Sequence, residues 1–241
     1  MQSDRRAYDR GSTIFSPDGR LYQVDYAREA VSRGSATVGV STASGVVFAA
    51  ASSRRSPLIE SGSIEKLHDV DGRLGMATAG HVADGRRLVD YGREYAQQER
   101  LRYGEAPGVE PVVKALADHV QESTQRGGTR PFGVAILLGG ITEDGSELYQ
   151  LDPSGALTAW TATAIGRDSD AAISSLESTY EEELDRDDGI GIALQALAES
   201  SDDDLTPADL DIAVTGPDGF DLFDRSRSEQ ALEAAGFPQG S

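Results

Sequence analysis

Short β-type runs fall into three clusters along this chain, and two pairs of helix-type runs separate them. The order is strands, two helices, strands, two helices, strands. Consecutive strands joined by short turns pair antiparallel, and each pair of amphipathic helices needs a sheet face on which to bury its apolar stripe. Two stacked sheets with helices on both outer faces meet both demands. The expected class is therefore α+β with four layers, αββα.

The segments behind this order are punctuated. Thr37 to Thr42 and Val46 to Ala50 flank a Ser44-Gly45 turn and read as a hairpin. Ile64 to Val70 and Leu74 to Ala79 flank Asp71-Gly72, a pair suited to a tight two-residue turn. Helices are expected over about 81–103 and 109–124. Strands follow at 133–139, 147–151 and 156–161, and then helices at 168–184 and 188–200. Strands at 211–215 and 220–223 and a helix at 226–235 complete the chain. Ahead of the first strand, Ser16-Pro17-Asp18 has the composition of a helix start, with a Ser N-cap, Pro at the first helical position and an acid in the first turn. Leu21, Val24, Ala27, Ala30 and Val31 then recur at spacings of three and four, and Gly34 ends the helix. Residues 1–15 are polar, Arg/Asp-rich and aperiodic, so they read as an arm before a single domain, 16–241.

Composition excludes several functions. The 241 residues suffice for one substantial core. The net charge of −19 argues against nucleic acid as a partner, because phosphate binding calls for a basic surface. No apolar run reaches the roughly 20 residues needed to span a bilayer, and no apolar segment follows Met1–Arg6 as in a secretory signal. With no cysteine there is no disulfide and no thiolate metal site, which fits a cytoplasmic protein. His68, His81 and His119 show no metal spacing, and no cofactor fingerprint is complete: Gly189-Ile190-Gly191 lacks the rest of a nucleotide motif. Only Lys66 and Lys114 are lysines, asparagine is absent, and the acidity is dispersed. That surface suits concentrated salt, where self-repulsion is screened within about 3 Å at 1 M. Glu181-Glu182-Glu183 and Asp202-Asp203-Asp204 read as solvated surface.

Two segments carry a resemblance that covers essentially the whole chain. The run Tyr8-Asp9-Arg10, Phe15-Ser16-Pro17-Asp18-Gly19-Arg20-Leu21-Tyr22-Gln23-Val24-Asp25-Tyr26-Ala27, Glu29-Ala30-Val31 resembles the N-terminal signature of proteasome α subunits of the archaeal type. About 115 residues further on, Gly128-Thr129-Arg130-Pro131-Phe132-Gly133-Val134 resembles the Arg-Pro-aromatic-Gly run of the same family. The resemblance implies the Ntn-hydrolase sandwich with an extra N-terminal helix, in a subunit that does no chemistry itself.

What it implies for individual residues is specific. Tyr8, Asp9, Pro17 and Tyr26 match the family's gate cluster, in which an arm crosses the axial pore of a seven-membered ring. Lys66 matches the cation of a regulator-docking pocket bordered by Gly19, Asp25, Gly34 and Gly80, where the family usually has Glu in place of Asp25. A terminal carboxylate in a partly desolvated pocket needs one fixed cation. The residue-level alternative is an ordinary surface lysine. Arg126-Gly127-Gly128-Thr129-Arg130 resembles the loop that narrows the pore, and equally fits a plain helix-to-strand connector. The implied partners are further α chains in a homo- or hetero-heptameric ring, proteasome β subunits, an AAA+ regulatory ATPase with hydrophobic–Tyr–X tails, and unfolded substrates in transit.

The competing expectation is a free-standing Ntn hydrolase that cleaves itself at Gly34-Ser35 and uses Ser35 as an N-terminal nucleophile. Against it, the acid expected about sixteen residues later falls in Ala49-Ala50-Ala51-Ser52-Ser53, which holds no carboxylate. A third is a self-assembling ring unrelated to proteolysis.

Overall fold

The computed structural model describes residues 15–17, 19–52, 58–60, 63–201 and 205–237. Most of the arm (1–14) and the run Asp202-Asp203-Asp204 lie outside them. In chain order the elements are α1 (Tyr22–Ser32), β1 (Thr37–Thr42), β2 (Gly45–Ala51), β3 (Leu67–Asp69), β4 (Leu74–Gly80), α2 (Val82–Tyr103), α3 (Val109–Gln125) and β5 (Val134–Thr142). There follow β6 (Gly145–Leu151), β7 (Leu157–Trp160), β8 (Ala162–Ile165), α4 (Ser169–Thr179), α5 (Arg186–Glu199), β9 (Leu210–Gly216), β10 (Gly219–Leu222) and α6 (Arg225–Ala234).

The strands form two five-stranded sheets, ordered β10-β9-β2-β1-β8 and β3-β4-β5-β6-β7. Every strand pair is antiparallel. The alternation of side chains along a strand explains the layers. On β2, Val46, Phe48 and Ala50 face the second sheet and meet Ala77, Ala79, Leu137 and Leu148. Val47 and Ala49 face the other way, onto Ala172, Leu176, Leu194 and Leu197 of α4 and α5. On the far side, Met76, Ile136 and Leu138 meet Leu88, Val112 and Leu116 of α2 and α3. Buried side chains of the size of Phe48 or Leu137 each contribute roughly 2–3 kcal/mol. The four-layer αββα sandwich expected from the sequence is the observed architecture.

Local boundaries differ in instructive places. Ser16 does not cap a helix: Gly19 N–H donates to the Ser16 carbonyl (2.8 Å) and Ser16 N–H to the Arg20 carbonyl (2.9 Å), forming a turn ahead of α1. Gly19 has φ +74°, a left-handed conformation that breaks helical continuation, and α1 starts only after Leu21, at Tyr22. The strand expected at 156–161 is β7, and a further strand, β8, follows it where none was expected. The chain leaves the second sheet after Trp160, and Ala162–Ile165 pairs with β1 in the first. The helix expected to reach 184 stops at Thr179, and Glu183 has φ +61°. The Asp71-Gly72 connection is longer than a two-residue turn, because β3 ends at Asp69 and its carboxylate accepts from Gly72 N–H (2.6 Å). Among the described residues no helix is long and apolar enough to cross a membrane.

Candidate functional site

The sequence places Lys66 one residue before the short edge strand β3, and from there its side chain runs inward to the ends of β1 and β2. The ammonium donates to the carbonyls of Ser35 (2.7 Å), Ala36 (3.0 Å) and Ala51 (3.2 Å) and lies 3.2 Å from Ser35 Oγ. Four acceptors share three N–H groups, so at least one bond is divided. Lys66 is the only buried cation among the described residues, 7% exposed. Burial lowers its pKa to about 7, and Asp211 works in the opposite direction. The three carbonyls also favour the ammonium, since each requires a donor.

Gly34 and Gly80 adjoin this site. A Cβ at Gly34 would overlap the Gly80 backbone nitrogen, so the link from α1 to β1 lies directly on the end of β4. Gly34 is the neighbour of Ser35, whose carbonyl is the shortest Lys66 contact. Three of the five predicted docking residues, Lys66, Gly34 and Gly80, are thus brought together. Asp25 and Gly19 sit elsewhere on the N-terminal segment. Asp25 pairs with Arg20 (2.9 Å) and lies 3.7 Å from Arg28. Arg28 in turn grips Asp152 with two bonds, 2.9 and 3.1 Å, joining α1 to the β6–β7 turn. Burial pushes the Asp152 carboxyl up, but bonds from Arg28 and Ser154 outweigh it and hold the pKa low.

Of the predicted gate residues, Tyr8 and Asp9 lie outside the described residues. Pro17 is exposed in the turn before α1, and Tyr26 is 53% exposed on α1. Phe15, Leu101 and Tyr103 are also largely exposed.

The segment Arg126–Arg130 is a tight turn facing solvent. Thr129 Oγ1 bonds the Arg126 and Ser123 carbonyls at 2.7 and 2.8 Å, and a Cβ at Gly127 or Gly128 would meet open space. Its rear is anchored by a residue that sequence inspection missed. Asp84 of α2 is buried, takes a two-pronged bond from Arg130 (2.6 and 2.8 Å) and accepts from Gly133 N–H (2.9 Å). The only sequence signal was an acid in the first turn of an amphipathic helix. Burial pushes the Asp84 carboxyl up, but Arg130, the Gly133 amide and His81 outweigh it, and its pKa is lowered. Its stabilising contribution is therefore complete above the ordinary carboxylate range near 4 and is lost as pH falls below it. Asp84→Ala should cost about 2–3 kcal/mol at neutral pH, less than for a fully buried pair because Arg130 reaches solvent. Denaturant unfolding at neutral and acid pH checks this: the wild-type advantage should shrink in acid.

Residues 49–53 hold no carboxylate of their own, as expected; one reaches this run from β9, where Asp211 Oδ2 accepts from Ser52 Oγ at 2.6 Å. Register explains it, since Asp211 pairs with Ala50 across the β2–β9 ladder. Gly34, which precedes Ser35, is held on both sides: its N–H bonds the Val31 carbonyl and its C=O accepts from Arg167 N–H. Among the described residues no group of three His, Asp or Glu side chains could hold a metal ion.

The family model described as "Proteasome subunit" matches residues 31–215, and the model of the N-terminal signature of A-type proteasome subunits matches residues 8–30. The proteasome α subunit of Haloquadratum walsbyi is 51% identical over 228 residues, covering 95% of this chain and 91% of that protein. The protein of the same name from Natronomonas pharaonis is 51% identical over 233 residues, with coverage of 97% and 91%. Its namesake from Halobacterium salinarum is 49% identical over 217 residues, with coverage of 90% and 86%.

Proposed function

The chain belongs to the proteasome subunit family, in its α-type branch, and we propose that it is the non-catalytic outer-ring subunit that gates access to a proteolytic chamber. Residues 1–15 form the arm, and Tyr8, Asp9, Pro17 and Tyr26 hold its open position. Lys66 receives the terminal carboxylate of a hydrophobic–Tyr–X tail from an AAA+ ATPase, in a pocket between neighbouring α subunits that has Gly34 and Gly80 beside Lys66 and is completed by Gly19 and Asp25, which lie apart from Lys66 within one subunit. Arg126–Arg130 narrows the pore beneath the gate. Seven copies, alone or mixed with a related α chain, close a ring and template a catalytic β ring, in the cytoplasm and without a cofactor. Unfolded proteins pass through.

The observation that carries this reading is the placement of Lys66. A chain that uses Arg for nearly every cation has a lysine where the ammonium sits among three backbone carbonyls, an arrangement that suits a compact point charge better than a planar fork. Its four acceptors already occupy its donors, so an incoming carboxylate must displace at least one. The Ser35 hydroxyl, the one side-chain acceptor of the four, at 3.2 Å, can rotate away and is the natural one to yield.

Co-expression with a proteasome β subunit in molar salt tests the assembly. The expected result is a four-ring cylinder whose peptide hydrolysis rises when a hydrophobic–Tyr–X peptide is added. The self-processing reading finds some support in the Ser35–Lys66 contact. It predicts loss of residues 1–34 and hydrolysis without any β subunit, and intact mass with an activity assay on the isolated chain separates the two.

A further inference from the structure

The helix α1 buries few apolar side chains. It is 11 residues long, its N-terminus has no side-chain cap, and Val24 and Ala27 are its buried residues. A helix of that length is marginal by itself and takes its stability from what it packs against. Its C-terminal end is tied by backbone, because Gly34 N–H donates to the Val31 carbonyl and Gly34 lies on Gly80. Further toward its N-terminus, Arg28 reaches out of the helix. Its Nε and Nη2 donate to the two oxygens of Asp152 at 2.9 and 3.1 Å. Exposed ion pairs usually contribute little. This one is two-pronged, and its carboxylate is held in place beforehand. Asp152 Oδ1 also accepts from Ser154 N–H (2.8 Å). The Asp152 carbonyl accepts from Gly155 N–H (2.9 Å), and Asp152 N–H donates to the Ala156 carbonyl (3.0 Å). Gly155, at φ +87°, lets this β6–β7 turn lie against α3: a Cβ there would come within 3.0 Å of Gln121 Cβ and 3.1 Å of the Ala117 carbonyl.

The contacts continue on both sides of this pair. In one direction α3 ends at Gln125, directly before the Arg126–Arg130 segment. In the other, Arg28 lies 3.7 Å from Asp25, and Asp25 pairs with Arg20 (2.9 Å), next to Gly19 in the turn that holds Pro17. We propose that Asp152 is a positioning residue: the β6–β7 turn is the common base for α1 and for the end of α3, and Arg28 carries its position to the candidate gate turn. Asp152 acts through Arg28. It fixes where α1 lies, and so where Tyr26 and the Pro17 turn stand relative to Arg126–Arg130. The consequence for gating rests on the reading of these residues given above, whereas the strap from Asp152 to α1 does not.

Amide hydrogen exchange in the full-length chain tests the strap, with mass spectrometry following α1, α3 and the β6–β7 turn separately. Arg28→Gln leaves the core alone, because the Arg28 side chain is 52% exposed. Asp152→Asn keeps an oxygen for Ser154 N–H and removes the charge. In both variants α1 should exchange about tenfold faster or more, while α3 keeps its wild-type rate. Arg28→Lys keeps the charge without the fork and should fall between wild type and Arg28→Gln. A bond that only adds overall stability would instead speed exchange in all three segments alike. In cylinders assembled with a proteasome β subunit, the loosened variants should lose stimulation by a hydrophobic–Tyr–X peptide several-fold. Wild-type exchange of α1 in both variants overturns the proposal, and so does a uniform increase across the three segments. Full stimulation of cylinders whose α1 has loosened overturns it as well. Wild-type cylinders that no tail peptide stimulates would sink the gating reading alone, since the exchange result stands without it.

Discussion

Lys66→Met is expected to abolish stimulation of peptide hydrolysis by a hydrophobic–Tyr–X peptide. Methionine approximates the length of the lysine stem but offers no donor and no charge. A charge-assisted bond to a terminal carboxylate contributes about 1.5–3 kcal/mol, so apparent peptide affinity should fall roughly 10- to 100-fold. Lys66→Arg should fail as well. The guanidinium is larger and planar, and the three carbonyls of Ser35, Ala36 and Ala51 surround a point-like ammonium. The substitution has a folding cost too, because those carbonyls lose a donor, at about 1–3 kcal/mol for each left unsatisfied. Particle size by light scattering is therefore measured beside activity. Assembled Lys66→Met cylinders that respond to the peptide like wild type would refute the docking role. Cylinders that assemble and ignore the peptide would support it.

The layers of the fold were legible because they rest on local alternation. Val46, Phe48 and Ala50 against Val47 and Ala49 separate into two faces by position along one strand. The start of α1 misled because Ser16-Pro17 satisfies the rules for a helix start, while the decisive residue, Gly19 at φ +74°, acts one step later. The strand β8 was hidden because no turn residue separates Trp160 from Ala162, although the chain changes sheets there. The candidate site was legible only in part for a different reason. Lys66, Gly34 and Gly80 follow from resemblance. Asp84, Asp152 and Asp211 owe their importance to partners that lie 46, 124 and 159 residues away in sequence. No windowed pattern contains both members of such pairs. In an acidic chain with 41 Asp and Glu residues, nothing local distinguishes these three from solvated ones.

Glycine spacing near Lys66 leads to the other large expected effect, on stability. Gly80 has φ +123°, and a Cβ there would overlap the Gly133 carbonyl, which already accepts from His81 N–H at 2.8 Å. A Cβ at Gly34 would overlap Gly80 itself. In each case the obstacle is backbone, which cannot rotate away as a side chain can. Gly34→Ala and Gly80→Ala should each cost about 3 kcal/mol or more, lowering the melting temperature by roughly 6–12 °C for a domain of this size. Gly19 provides the contrast. It also has positive φ, +74°, but a Cβ there meets nothing within 4 Å. Gly19→Ala should therefore cost only the conformational penalty, about 1 kcal/mol. Thermal unfolding of the three variants in molar salt ranks them. Equal losses would mean that backbone conformation alone sets the cost and that the close approach of Gly34 to Gly80 is slack. A much larger loss at Gly34 and Gly80 would mean that the contact between the α1–β1 link and β4 is rigid. Rigidity there matters for the site, because Ser35 and Ala36, which follow Gly34 directly, fix two of the carbonyls around the Lys66 ammonium.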